Sequence, residues 1–319
     1  MTKKTRIAIW YDNRYGRNDG PPLYYYNQLK KLPNTEVHHL LPDGELNRFG
    51  KFDYHFWVDW GEDAVVGREK ALAYKLPKDG GKTIYVASDT HLDDGYRFEK
   101  AKQFNYVFFN QKHAAIEYNS KTYWKTSPNI SSAAYLPHAA EPQAYPHFEI
   151  LKKYDLCFIG HMQEYHKGNR VNMARVDVLD HMFKKFPSFY FGSRHPVWPE
   201  KNIFEDAAMK FCQSKVVFNI SIGNDANMRF FETLSTGSFL LTNNIPELNS
   251  LKEYGFVDGT HYISYHSLKG AEEMAQYYIE HDEEREKIAK AGYEQAMKTG
   301  TYESRIKEIL NAVEKGGVK

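Results

Sequence analysis

The feature that most constrains this chain is the stretch over residues 215–244, KVVFNISIGNDANMRFFETLSTGSFLLTNN. It opens with an apolar, β-branched run whose length is typical of a buried strand in a parallel sheet. The helix predicted over residues 228–236 has three candidate N-caps, which are Asn224, Asp225 and Asn227. Gly237 is placed to end that helix, and another apolar strand follows directly. The stretch therefore predicts a strand, a loop, a helix and a second strand.

The start of this helix is a predicted anion site. A helix that opens after a parallel strand directs its free N–H groups and its dipole toward the carboxyl edge of the sheet. Arg229 adds a forked cationic donor that suits phosphate, and Glu232 can accept hydrogen bonds from a ribose diol. Together they describe a nucleotide-sugar pocket. The alternative is a surface ion pair between residues three apart, which stabilises a helix by only about 0.2–0.5 kcal/mol.

Length, charge and cysteine content narrow the class of protein. A chain of 319 residues suits two domains. Its 42 Lys and Arg residues balance 41 Asp and Glu residues, which argues against a dedicated nucleic-acid binder. Cys157 and Cys212 both lie in apolar runs, as buried thiols of a reducing compartment do. Because we find neither a secretion signal nor an apolar run of membrane-spanning length, we expect a cytoplasmic protein without a membrane span.

Short strands alternate with helices along both halves of the chain. Six strands are predicted in the first half, at residues 6–10, 36–40, 54–58, 83–87, 106–109 and 134–136. Five are predicted in the second half, at residues 155–159, 189–191, 215–220, 239–242 and 262–264. Residues 141–153 lie between the halves and contain two prolines and no apolar period, so we interpret them as a linker.

This alternation predicts an α/β protein with two Rossmann-like domains, over residues 1–150 and 151–319. Each domain is expected to have a parallel sheet with flanking helices, and the two sheet edges are expected to face a shared cleft. We expect the last helix of the chain to pack back on the N-terminal domain.

Several ordered motifs carry a family resemblance. Residues 155–160, DLCFIG, form a strand that ends in a glycine, and residues 214–221, SKVVFNIS, precede the loop already described. Residues 229–237 read R-F-F-E followed by a glycine, and residues 301–305 read TYESR. In this order the motifs resemble those of bacterial GT-B glycosyltransferases of the CgeB-like, spore-maturation type, which are related to the group 1 glycosyltransferases. Gly300 stands where that family has a histidine.

The resemblance implies that the C-terminal domain binds a nucleotide-sugar donor, that the N-terminal domain binds the acceptor, and that no metal is obligatory. The residues agree, because we find no Asp-x-Asp motif at a predicted strand end, and Asp93 and Asp94 are adjacent rather than spaced. We therefore expect no cofactor. The charge on the leaving diphosphate must then be neutralised by the protein, for which Arg229, the helix N-terminus and Lys215 are candidates.

Further candidate donor ligands follow strand ends in the second half. Gly160 and His161 follow the strand at residues 155–159, and Arg194 follows the strand at residues 189–191. Asn227 adds a polar group at the helix start. The simpler alternatives are an exposed turn residue for His161 and a proline-closed loop around Arg194.

Asp89 and His91 are the candidate catalytic residues. They follow the predicted strand at residues 83–87, and Asp59, after the strand at residues 54–58, is a rival. In an inverting transfer one of them would take the proton from the acceptor hydroxyl. In a retaining transfer His91 would instead bond the donor sugar. A polar residue at a strand end also commonly just forms a turn.

We expect a metal-independent glycosyltransferase of hexosyltransferase type. Its co-substrate would be a nucleoside-diphosphate sugar, most simply UDP-linked, and its acceptor a hydroxyl of a glycan, a small molecule, a protein or a modified DNA base. One alternative is a transferase for modified bases of phage DNA, with Arg14 and Arg17 beside the flipped base. The other is a non-catalytic nucleotide-sugar-binding protein that kept the fold.

Overall fold

The chain folds into two compact units, Met1–Pro137 with Tyr302–Lys319 (unit 1) and His138–Thr301 (unit 2). The computed structural model describes residues 4–12, 20–43, 50–60, 66–88, 90, 94–120, 133–160, 171–192, 203–221 and 224–316. Each unit is built on one sheet whose strand pairs are all parallel. The predicted α/β class with two parallel sheets is confirmed.

Unit 1 contains six strands in the spatial order β2-β1-β3-β4-β5-β6. They are β1 Thr5–Trp10, β2 Thr35–Leu40, β3 Tyr54–Asp59, β4 Lys82–Ala87, β5 Tyr106–Phe109 and β6 Ala133–Tyr135. The helices are α1 Pro21–Leu29, α2 Arg68–Ala73, α3 Asp94–Ala101, α4 Lys112–Ser120 and, from the end of the chain, α11 Tyr302–Glu314. The core is strongly aromatic, with Trp10 and Trp57 stacked at 6.2 Å between ring centroids.

Unit 2 contains five strands in the order β11-β10-β9-β7-β8. They are β7 Tyr154–Ile159, β8 Phe189–Gly192, β9 Ser214–Asn219, β10 Leu240–Asn243 and β11 Ile263–Tyr265. The helices are α5 Val171–Lys185, α6 Ile203–Cys212, α7 Met228–Ser235, α8 Glu247–Ser250, α9 Leu268–Glu280 and α10 Asp282–Thr299, and a 3₁₀ turn covers Leu251–Tyr254. Both cysteines are buried, and burial raises the pKa of the Cys157 thiol to about 12.

The predicted strands are all present and begin and end within one residue of their expected positions. Two helices, α2 and α3, were not predicted. The pattern of α3 is obscured because it buries Arg97 and Lys100 among its apolar residues. The Lys100 ammonium group donates hydrogen bonds to the carbonyls of Ala71 and Tyr74 at 2.8 and 2.9 Å, so this lysine closes the end of α2.

The segment 141–153, expected to be a linker, belongs to unit 2. The units meet in sequence between Pro137 and His138 rather than near residue 150. Tyr145 is fully buried, the Nδ1 atom of His147 lies 2.6 Å from the Thr236 carbonyl, and the Phe148 N–H donates to the Cys212 sulfur at 3.4 Å. These contacts fix residues 141–153, which have no apolar period, against the rest of unit 2.

The last helix, α11, belongs to unit 1. Its Tyr302 ring lies 5.2 Å from that of Tyr24 and 5.1 Å from that of Tyr25, both on α1. The Arg305 Nε–H, which is buried, donates to the Pro137 carbonyl at 2.8 Å.

Each sheet has one point at which the order of the strands reverses. In unit 1 this point lies between β1 and β3, and in unit 2 it lies between β7 and β9. Ligands of open parallel sheets bind outside the carboxyl ends of the strands at such a point. The fold therefore directs attention to the residues that follow β7 and β9.

Candidate functional site

Asn219 organises the carboxyl end of β9. It is fully buried, and its amide group donates to the Thr242 hydroxyl of β10 at 3.1 Å. Asn219 and Asn227 exchange two hydrogen bonds, at 3.2 and 3.3 Å, which join the strand to the start of α7. The Asn219 side-chain carbonyl also accepts from Nη1 of Arg229 at 3.3 Å. One buried amide thus fixes the sheet edge, the helix start and the guanidinium together.

The helix that follows has the expected ends. Asn227 is the N-cap, and its side chain accepts from the Phe230 N–H at 3.3 Å, which selects one of the three predicted caps. Gly237 follows the last turn with φ of +71°, a conformation that favours glycine.

Helix α7 is buried on every side rather than on one face. Arg229 is 8% exposed and Glu232 is 1% exposed, so the interpretation of these residues as a surface ion pair is wrong. The apolar side is held by Phe230, whose ring makes edge contacts with Phe256 and Tyr262 at 5.5 and 4.9 Å. A helix that buries both a cation and a carboxylate must place them where other groups compensate their charge.

Gly160 explains how the Arg229 guanidinium reaches the sheet edge. A Cβ atom on Gly160 would lie 2.9 Å from both terminal nitrogens of Arg229 and 2.9 Å from the Phe158 ring. The guanidinium carbon lies 5.2 Å from the centroid of that ring, in a cation–π contact. The absence of a side chain at residue 160 therefore lets Arg229 lie at the reversal point between β7 and β9.

Arg175 is a second arginine at the same edge, and it is not among the residues predicted from the sequence. It lies on α5, is 7% exposed, and places its guanidinium carbon 5.6 Å from the centroid of the Phe158 ring. Its Nη2 atom donates to the Ile220 carbonyl, directly after β9. The sequence pattern gave little indication of this position, because a single arginine in a long amphipathic helix is normally expected on the exposed face.

Lys215 does not belong to this cluster, which corrects its assignment as a donor ligand. It is the second residue of β9, so four residues, or about 13 Å of extended strand, separate it from Asn219. Its ammonium group lies 3.5 Å from the Asp155 carboxylate at the start of β7 and donates to the Ile279 carbonyl at 3.3 Å. Because all strands are parallel, this is the amino edge of the sheet.

The remaining predicted residues are distributed as follows. Asp59 ends β3 in unit 1, is fully buried, and accepts a hydrogen bond from the Tyr85 hydroxyl. Burial, followed by the negative charge of Asp59, raises the pKa of Tyr85 well above its ordinary value. Other predicted site residues lie outside the described residues, namely Asp89 and His91 of the catalytic set, His161 and Arg194 of the donor set, and Arg14 and Arg17.

Two kinds of feature were searched for among the described residues: metal-binding groups and membrane-spanning helices. Within the described residues, no group of three or more His, Cys, Asp or Glu side chains is arranged to hold a metal ion. Among the helices in that same part of the chain, none has the length and apolarity needed to cross a membrane.

Part of the chain is similar to a known protein family. Residues 175–311 match a family model described as glycosyl transferase-like, and the match begins at Arg175 and includes Asn219, Asn227, Arg229 and Glu232. No curated protein matches the chain in sequence.

The fold is shared with several solved structures at low sequence identity. An Anabaena protein, HepE, in complex with UDP and glucose has a TM-score of 0.60 at 10% identity, covering 97% of this chain and 99% of that one. Sucrose-phosphate synthase from Thermosynechococcus elongatus has a TM-score of 0.59 at 8% identity, with coverage of 98% and 99%. The N-terminal domain of trehalose-6-phosphate phosphatase from Candida albicans has a TM-score of 0.62 at 8% identity, with coverage of 99% and 97%.

These findings support a glycosyltransferase with the GT-B fold. The match over residues 175–311 supplies the transferase assignment, and the two parallel sheets supply the fold. The edge formed by Gly160, Asn219, Asn227 and Arg229 is therefore the candidate donor site.

Proposed function

We propose that this protein is a glycosyltransferase that moves a sugar from a UDP-linked donor to an acceptor hydroxyl without a metal ion. The observation that carries the proposal is the Arg229 guanidinium, which Asn219 holds at the reversal point of the second sheet, in the first turn of α7. A helix N-terminus and a buried arginine at one position form an anion site. The similarity of the fold to HepE in complex with UDP and glucose supports the choice of uridine.

The reaction needs this positive charge at the leaving group. The bond between the anomeric carbon and the β-phosphate oxygen breaks, and both electrons remain on the diphosphate. The acceptor oxygen bonds to the anomeric carbon and, in an inverting transfer, gives its proton to Asp89 or His91. Arg229 and the N–H groups of α7 would stabilise the charge that develops on the diphosphate, which is the task that a metal ion performs in other transferases.

Glu232 completes the proposed donor site. It follows Arg229 by three residues, so both side chains project from neighbouring positions on α7. A carboxylate accepts hydrogen bonds only, and a ribose diol offers two hydroxyl donors. We assign Glu232 to the ribose and Arg229 to the diphosphate.

The acceptor side remains a prediction. Asp89 or His91 would act on the acceptor hydroxyl or on the donor sugar, and the expected cytoplasmic location is likewise a prediction. The transferred group is proposed to be a hexose, and the acceptor one of the hydroxyl classes named above.

The donor assignment is tested by Arg229→Ala. Removing the guanidinium should lower the affinity for UDP by at least about tenfold, because a hydrogen bond to a charged group contributes about 1.5–3 kcal/mol. Isothermal titration calorimetry measures the affinity, and release of UDP from UDP-sugars measures turnover. Arg285→Gln is the matched control, since Arg285 is also a buried arginine of unit 2 but donates to the Tyr278 carbonyl. Unchanged UDP affinity in Arg229→Ala would refute the assignment.

A further inference from the structure

We infer that this protein forms a two-fold dimer through the outer edge of unit 2, where α5 and β8 present an apolar strip beside a ridge of charges. This surface, the α5–β8 face, comprises the exposed residues Val176, Asp177, Asp180, Phe183, Lys184, Lys185 and Phe191. Its occupant is a second copy of the same chain. The dimer does not depend on the proposed donor site.

Three apolar side chains are exposed on one side of this edge. Val176 and Phe183 are seven residues apart on α5, so they lie two turns apart on the same face of the helix. Phe183 is 55% exposed, and its ring lies 6.0 Å from that of Phe189 on β8. Phe191 follows Phe189 by two residues, so both point to the side of the sheet that α5 covers. Clustered exposed apolar groups mark surfaces that bind another protein.

The strand beside this apolar strip is the outer strand of its sheet. β8 pairs with β7 and, in the order of the five described strands, has no neighbour on its other side. An outer strand directs main-chain N–H and C=O groups away from the sheet, and natural proteins commonly cover or pair such groups. The α5–β8 face therefore combines exposed apolar side chains with main-chain groups that a second chain can cover.

The charges along α5 indicate which partner fits. Asp177 and Asp180 precede Phe183, whereas Lys184 and Lys185 form the last turn of the helix. A two-fold axis perpendicular to α5 makes the helices of two copies antiparallel, and each copy then contributes the same surface. The acidic part of each helix faces the basic part of the other, so the surface is complementary to itself. A partner with one sign of charge would match only half of this ridge.

The order of residues along α5 gives the individual contacts. When the axis crosses the helix between Asp180 and Lys184, Asp180 of each copy faces Lys184 of the other. Phe183 lies beside the axis, so the two Phe183 rings meet at the centre of the contact, inside a rim of charges. Within one chain, the Lys184 ammonium group lies 2.6 Å from the Asp180 carboxylate, and both side chains are more than half exposed. Such a pair contributes little to one chain and can exchange partners when two copies meet.

The first experiment measures the mass of the protein in solution. Analytical ultracentrifugation over a range of concentrations should give the mass of two chains for the wild-type protein. Phe183→Glu should weaken dimerisation at least about tenfold, because it places two like charges at the centre of the contact. Ile116→Glu is the matched control, since Ile116 is 60% exposed on α4 of unit 1, and this variant should remain a dimer. A monomeric wild-type protein, or undiminished dimerisation of Phe183→Glu, would overturn the inference.

The second experiment tests the antiparallel pairing itself. Asp180→Lys and Lys184→Asp each place like charges opposite one another across the axis, so each variant alone should dimerise at least about tenfold more weakly than the wild-type protein. An equimolar mixture of the two variants should recover dimerisation, because both lysines of one chain then face both aspartates of the other. If these charges act only within their own helix, mixing changes nothing, and the antiparallel dimer is refuted.

Thermal unfolding separates these outcomes from a loss of the fold. Asp180 and Lys184 are exposed, so reversing either charge should leave the unfolding temperature close to that of the wild-type protein. If Phe183→Glu does not fold, the mixture of the two charge variants decides by itself. None of these measurements uses UDP, so a monomeric protein would refute the dimer and leave the proposed function untouched.

Discussion

The two sheets reverse their strand order in the same way, yet the helices at their reversal points begin differently. In unit 2, α7 begins after Asn227, whose side chain caps it, and carries Arg229 in its first turn. In unit 1, α1 begins after Gly20 with Pro21 and Pro22, and Gly20 provides no side-chain cap. Proline has no N–H, so the first turn of α1 offers fewer donors to an anion.

The side chains around the two reversal points differ as well. Around β1 and β3 they are mainly aromatic, apart from the buried Asp59 carboxylate that ends β3: Trp10 and Tyr11 are buried, and a Cβ atom on Gly20 would lie 3.1 Å from the Trp60 indole nitrogen. Around β7 and β9 they are amides and guanidinium groups. The same topology therefore carries buried amide and guanidinium groups at one reversal point and mainly aromatic side chains at the other, and the difference lies in the first turn of one helix and in a few strand-end residues.

The largest expected effect is a loss of stability caused by a change in unit 1, which should leave ligand binding in unit 2 unchanged. Lys100→Met should lower the free energy of unfolding by about 3 kcal/mol, because it removes the donor for two buried carbonyls, those of Ala71 and Tyr74. The substitution also removes the ammonium group that lies 3.9 Å from the centroid of the Trp57 ring. Thermal unfolding measures the loss, and calorimetry should show unchanged UDP affinity.

Lys102→Met is the matched control for that change. Lys102 pairs at 2.6 Å with Glu99 at the protein surface, so its loss should alter stability by less than about 1 kcal/mol. If Lys100→Met weakened UDP binding in a protein that remains folded, the assignment of UDP binding to unit 2 alone would be wrong.

An intermediate effect tests whether the N-terminus of α7 binds the ligand. Asn227→Ala and Ser267→Ala each remove an N-cap in unit 2, at α7 and α9, and each should cost about 1 kcal/mol of stability. Only Asn227→Ala should also lower UDP affinity, by several-fold, because Asn227 additionally bonds to Asn219, which orients Arg229. Equal UDP affinities for the two variants would show that the start of α7 is purely structural.

The smallest expected effect tests whether a residue at the amino edge of the second sheet contributes to UDP binding at the carboxyl edge. Lys215→Ala removes a half-exposed ion pair with Asp155, 3.5 Å long, and should change stability by less than about 1 kcal/mol. UDP affinity should not change, since Lys215 lies at the amino edge. A measurable loss of UDP binding would bring this lysine back into the donor site.

The candidate site was predictable from the sequence only as far as local patterns extend. The N-cap, the glycine after α7 and the positions of Arg229 and Glu232 lie within one continuous stretch, so their relation follows from helix geometry. Gly160 was predicted from its place after a strand, but its close approach to Arg229 joins residues 69 positions apart. Arg175 was missed because only tertiary packing brings α5 to the end of β9.

The sequence by itself determined the order and type of the elements, because apolar period and turn residues are local signals that survive in the fold. It also indicated which helix start combines an N-cap with an arginine, since both residues belong to one continuous stretch. Only the tertiary structure decided which charges gather at one edge. It brought Arg175 and Arg229 to the Phe158 ring and left Lys215 at the opposite end of β9, because parallel pairing sends the two ends of every strand to different edges of the sheet.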